Sequence, residues 1–145
     1  ARALEAQLAS TTSLLAGLTE AQAAYRYAPG KWTLREVIGH LADAERIFAY
    51  RLLCIARGDT TPLPGFDENT YVPAGEFERR PIASVAAEFG AIRMATLALL
   101  ESLSADALAR MGTASGKPVS ARALAWIIAG HEIHHLGVIR ERYLK

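Results

Sequence analysis

Three of the four histidines fall in one pentapeptide, His131-Glu132-Ile133-His134-His135, and the fourth, His40, stands alone. A neutral imidazole is a good donor to a divalent transition metal. His131 and His135 are four residues apart. A helix therefore places them one turn above each other, about 40° apart around its axis. Two imidazoles so placed can grip one ion, and His40 is the histidine left to supply a third ligand. Leu124, Ile127, Ile128 and Val138 fall around the pair, which puts it in the apolar stripe of its helix. Burying an imidazole there is costly unless each ring nitrogen finds a partner, and a metal is one such partner. The competing reading is a set of packed histidines satisfied by ordinary hydrogen bonds.

The same five residues fit two other patterns. His-Glu-x-x-His is the zinc-protease motif, in which Glu132 would be the general base. Its third ligand should lie downstream, but Val138 and Glu141 stand where an extended motif needs glycine and histidine, and only ten residues follow His135. Glu-x-x-His is also half of a di-iron signature, which needs a second copy. Glu36 to His40 is one residue too long for that. Both readings are disfavoured. Three further residues are candidates for a catalytic role: Asp43, one turn from His40; Arg51, three turns along on His40's side; and Glu132. The alternatives are a solvated carboxylate for Asp43 and a salt bridge for Arg51.

The elements that must position these residues read as four long helices. Leu4, Leu8, Thr11, Leu15 and Leu18 step by four and three, with Gly17 and Thr19 near the end. Thr33-Leu34-Arg35-Glu36 is a capping box, opening a second helix that runs to about Arg57 with Gly58 as its cap. The third starts near Pro81 and carries Val85, Phe89, Ile92, Thr96, Leu99 and Leu103. Ser120 caps a fourth that bears the pentapeptide. No sustained alternation marks a strand. The expected fold is all-α, an antiparallel four-helix bundle as one domain over residues 1–145, with a long crossover loop between helices 2 and 3. That loop, residues 58–80, is long enough to be functional or a mere span. Met111 to Lys117 reads as a short turn. Trp32 and Trp126 read as core anchors, and Cys54 as a small buried hydrophobe. Nothing in the sequence places Tyr50 or Tyr71.

Bulk properties narrow the function classes. The chain has 145 residues, 51% apolar and 21% charged, with a net charge of +1. No basic field invites nucleic acid or anionic lipid. One cysteine excludes an internal disulfide framework and fits a reducing compartment. No uninterrupted apolar stretch of membrane-spanning length is evident, and Ala1 to Glu5 lack a signal-peptide core. A cytoplasmic protein acting on a small molecule, without nucleic-acid or membrane partners, is expected.

Two segments carry a family resemblance. Lys31-Trp32-Thr33-Leu34-Arg35-Glu36-Val37-Ile38-Gly39-His40-Leu41 resembles the signature W-(S/T)-x-x-E-x-(I/V)-x-H-(L/I) of the DinB/YfiT-like superfamily. His131 to Ile139 resembles that family's H-x-x-H-H-x-x-x-I ending. The likeness extends over nearly the whole chain. It implies a four-helix bundle holding one divalent ion (zinc, nickel or iron) through His40, His131 and His135, with His134 as a non-ligating neighbour. Val138 or a neighbour stands where the family often has glutamine. The resemblance also implies chemistry: transfer involving a low-molecular-weight thiol such as bacillithiol or mycothiol, or metal-dependent hydrolysis. A homodimer is implied as well. A non-catalytic metal-binding stress protein is the alternative of a different class.

Overall fold

The N-terminal apolar repeat forms α1 (Arg2–Ala16), which buries Leu4, Thr11 and Leu15 and ends at Gly17. The computed structural model describes residues 1–145, and the chain is mostly helical. A short α2 (Glu20–Ala23) follows, held by a capping box between Thr19 and Gln22. The expected capping box opens α3 (Leu34–Ala56). The Glu36 N–H donates to Thr33 Oγ1 at 3.2 Å, and the Thr33 N–H donates to Glu36 Oε2 at 2.8 Å. Just past the end of α3, Gly58 takes the left-handed conformation, φ 82°.

The connection to the third long helix is not a bare loop. It contains α4 (Glu68–Gly75), whose N-cap Asp67 accepts from the Asn69 N–H at 2.9 Å, and a 3-10 turn at Phe77–Arg79. Then come α5 (Ile82–Glu101), preceded by Pro81, and a short α6 (Ala105–Ala109). The turn expected at Met111 to Lys117 is instead a hairpin of β1 (Met111–Ala114) and β2 (Lys117–Ser120), pairing Met111 with Ser120 and Ala114 with Lys117. Ser115 and Gly116 at its tip both have positive φ, 51° and 74°, as a tight two-residue hairpin turn demands. Ser120 caps α7 (Ala121–Val138) by accepting from the Ala123 N–H at 3.0 Å, and a π-helical turn follows at Ile139–Tyr143.

Helix α3 packs against α5 and α7, and α1 packs against the same two. Beside the N-terminal half of α3 the core includes Leu34, Ile38, Leu41, Phe77, Val85, Phe89 and Leu136. Beside its C-terminal end the core includes Leu52, Ile55, Leu63 and Leu124, with half-buried Cys54 against them. Between these apolar regions lies a buried ionic group. Arg93 on α5 is fully enclosed and donates through Nε and Nη2 to both carboxylate oxygens of Glu45 on α3, at 2.8 and 2.9 Å. Its Nη2 also lies 2.7 Å from Glu132 Oε2 on α7, an ion-pair contact whose angle is poor for a hydrogen bond. On the α1 side, Thr11 donates to Glu132 Oε1 at 2.5 Å, and the Leu4 carbonyl accepts from Arg93 at 3.3 Å. One guanidinium thus joins all four long helices.

Two expectations need correction. Trp126 is 69% exposed and anchors no core. Its position lies on the outer face of α7, opposite the buried Leu124 and Ile128. Helix α5 does have the length and composition to cross a membrane. Here it packs between α1 and α3, and the one charge it buries completely, Arg93, is matched by two carboxylates.

The crossover is pinned to α3 by one ring. Phe77 lies between two glycines: a Cβ added at Gly39 or at Gly75 would stand 2.5 Å from its ring atoms. Gly39→Ala is therefore expected to lower stability by about 1–3 kcal/mol through overpacking, despite alanine's better helix propensity. Urea unfolding checks this. A variant more stable than the parent would show that the Phe77 slot is loose.

Candidate metal centre

The three histidines converge because their helices are held in register. His40 sits in the first half of α3, five residues before Glu45. His131 and His135 sit one turn apart on α7, on either side of the buried Glu132 position. The ring nitrogens that could act as ligands all lie within 4.8 Å of one another, and His40 Nε2 is 3.1 Å from His131 Nε2. Two nitrogens bound to one ion at about 2.0–2.1 Å stand about 2.9–3.4 Å apart, depending on the bond angle. The observed spacing fits. The rings meet edge to face, with centroids 4.5–5.0 Å apart.

Burial sets their protonation. His40, His131 and His135 are each pushed down to about 4, first by loss of water and then by a neighbouring imidazole; near His40, the Glu68 carboxylate opposes the shift. All three rings are therefore neutral near pH 7 and have lone pairs to give. Three neutral donors would leave a divalent ion its full charge.

Aromatic side chains frame the cluster on two sides. Trp32 lies 5.0 Å from the His40 ring, at a 45° tilt. Phe48 lies edge-on to His131 at 5.4 Å, and Phe66 from the crossover backs Phe48 at 6.5 Å. Beside His135 opens a cleft of about 320 Å³, lined by His134, Lys31, Asn69, Tyr27 and others. Exposed His134 thus stands at the rim, next to the cluster rather than in it.

The other candidate residues lie elsewhere. Glu132 is in the core, tied to Thr11 and Arg93, although it belongs to the same pentapeptide. Asp43 lies on the α3–α5 surface beside Arg46 and Glu88, and burial raises its pKa. Arg51 has no carboxylate partner, contrary to the salt bridge expected as its alternative. Its Nη2 donates to the Pro64 carbonyl at 2.7 Å and to Ser115 Oγ at 3.2 Å. From sequence, Phe48 reads as part of an apolar stripe and Phe66 and Glu68 as part of the crossover, none of them at the metal site. Phe48 and Phe66 look like any core aromatic there, and only the folded crossover brings Phe66 and Glu68 near the histidines.

Comparison with known proteins agrees with this architecture. The sequence model of the DinB superfamily matches residues 3–139. Among solved structures, the chain is similar to YfiT from Bacillus subtilis, described as "a probable metal-dependent hydrolase with an unusual four-helix bundle topology". The TM-score is 0.80 at 23% identity, covering 97% of this chain and 81% of that one. It is also similar to a mycothiol-dependent maleylpyruvate isomerase, with a TM-score of 0.76 at 16% identity, over 93% of this chain but only 57% of the isomerase. A DinB-like protein from Bacillus subtilis superposes with a TM-score of 0.61 at 23% identity, over 88% of this chain and 76% of that one. At these identities the likeness is one of fold. No curated protein matches the sequence.

Two outcomes are expected. The three rings have folded pKa values of about 4 against 6.5 for an unshifted imidazole. Between those values the unfolded chain holds more protons, so the stability of the metal-free protein is whole above pH 6.5 and is lost as pH falls through about 4. Thermal melts of metal-free protein should show this fall, and His131→Asn should make it shallower. Glu132→Gln should cost on the order of 3 kcal/mol and leave metal stoichiometry unchanged. Loss of metal without loss of stability would instead place Glu132 at the site.

Proposed function

The chain belongs to the DinB superfamily, and on that premise we propose that it is an enzyme that holds one divalent ion through His40, His131 and His135. Its proposed reaction is transfer involving a low-molecular-weight thiol and a small electrophile. The observation that carries this reading is the convergence of three neutral imidazole nitrogens beside an open cleft. The bound ion would supply positive charge that acidifies a thiol or a water drawn to it. The residues of the chain do the rest. The histidines hold the charge in place without neutralising it. Trp32, Phe48 and Phe66 wall the site from bulk water on the sides they cover, which strengthens every charge interaction within it. Lys31 and Asn69 on the cleft wall offer a cation and an amide to a polar cosubstrate.

The thiol reading draws support from the mycothiol-dependent isomerase that shares the fold. Metal-dependent hydrolysis is the second reading, favoured by the higher structural similarity to YfiT. The same likeness supports treating the four long helices as an antiparallel bundle and the chain as one domain. A homodimer and a cytoplasmic setting are further parts of this proposal and rest on family membership.

Elemental analysis beside His40→Ala and His131→Ala variants tests the site. About one divalent ion per chain is expected in the parent, with loss in both variants; full occupancy in both would remove the site. A panel of small thiols with electrophilic acceptors then tests the chemistry. Thiol-dependent turnover is expected, abolished in both variants. Turnover that needs no thiol would establish hydrolysis instead.

A further inference from the structure

A second cleft, of about 290 Å³, is lined by Arg51 and Phe66, both neighbours of the Phe48 ring that also lies edge-on to His131. Its walls are Ile47, Leu63, Phe66 and Tyr71, with Arg46 and Arg51, and none of its lining residues is acidic. The two arginines differ. Arg46 is half-exposed and already paired with Glu88. Arg51 is only 6% exposed and has no ion-pair partner, and loss of water lowers its pKa. Its two hydrogen bonds go to neutral acceptors, the Pro64 carbonyl and Ser115 Oγ, both through Nη2. Its Cζ lies 5.8 Å from the Phe48 ring centre and 5.9 Å from that of Phe66. A buried guanidinium without a counter-charge is costly. The chain's other two strongly buried arginines, Arg35 and Arg93, each meet two carboxylates.

The geometry points to a binding site for the carboxylate of a small organic acid in this cleft, with Arg51 as its anchor and the body of the acid against Phe66 and Tyr71. The carboxylate takes the remaining guanidinium N–H groups, a charge-assisted contact that suits a planar fork. Phe48 touches both the Arg51 guanidinium and the His131 ring, so the acid lies one ring away from the histidines. This deepens the proposed function, on which its catalytic meaning rests: the electrophile or thiol cosubstrate is an anion with an apolar body.

Binding to metal-free protein tests the pocket apart from the chemistry. Benzoate and its neutral isostere benzamide are titrated by NMR, following the ring signals of Phe66 and Tyr71. Benzoate should shift them with saturation. Benzamide should bind at least about tenfold more weakly, as loss of a charge-assisted contact implies. Arg51→Gln should lose about as much for benzoate, and Arg51→Lys should regain part of it. Ser115→Ala removes a structural bond of Arg51 but keeps its charge, and should bind benzoate like the parent. Equal binding of acid and amide by the parent, or no saturation by benzoate at 10 mM (a limit of about 3 kcal/mol), overturns the proposal even if Arg51→Gln does not fold. If benzoate binds but the metal-loaded protein turns nothing over, the proposed function fails and the pocket stands.

Discussion

The guanidinium of Arg93 is the constraint from which the arrangement of the site follows. It is fully buried, so its charge must be met at close range by groups fixed in space. Burial works against the charge, and Glu45 and Glu132 more than offset it, holding the guanidinium above its ordinary range. Glu45 lies on α3, Glu132 on α7, and Thr11 closes the set from α1. Sliding any of these helices by one turn would strand a buried charge, whereas apolar side chains alone tolerate such slips far better. Glu132 is the immediate neighbour of His131, and Glu45 lies five residues beyond His40. The ionic group that fixes the helices along their axes therefore also fixes the heights at which the imidazoles meet.

What the helical core fixes in height, the crossover completes in shape. Phe77 fits a slot made by the absence of side chains at Gly39 and Gly75, one residue from His40. Anchoring there brings α4 past the histidines, with Glu68 close enough to act on His40 and Asn69 on the wall of the adjacent cleft. Earlier in the same segment, Leu63 pairs with the hairpin through its backbone: its N–H donates to the Thr113 carbonyl at 2.9 Å. Arg51 holds Pro64 and Ser115 in the same region. The connection is thus fastened at both ends and forms walls for two clefts.

The parts legible from sequence were those governed by local rules. Capping boxes, glycine after α3 and the i,i+4 histidines act within a turn or two, and the residues that form them are adjacent in the chain. The hairpin at Met111–Ser120 escaped notice because four-residue strands carry too little alternation, although Ser115-Gly116 at its tip is a turn dipeptide. Helix α4 escaped because prolines on both sides, and Pro73 within it, made the segment read as irregular. The exposure of Trp126 is not legible from its residue type, since a large apolar side chain is usually buried and only its side of the helix decides otherwise. The role of Glu132 is not legible in the sequence: its partners Arg93 and Thr11 are 39 and 121 positions away, and the neighbouring histidines supply a more familiar pattern for it.

The contrast among the buried charges shows how the fold separates structure from recognition. Arg93 and Arg35 are each met by two carboxylates, which balance their charge. The histidines are the opposite case, buried and neutral, so any charge at their centre would come with the ion. Arg51 falls between these, a buried cation bonded to a carbonyl and a hydroxyl, which orient it without cancelling it. With an ion held by the histidines, two centres of positive charge near the Phe48 ring would repel one another, and the low polarity of that ring would do little to screen them. An anion between or beside them relieves this repulsion. On this argument the ion and an acidic ligand would each favour the other's binding, a coupling that arises because no lining residue of the Arg51 cleft is acidic.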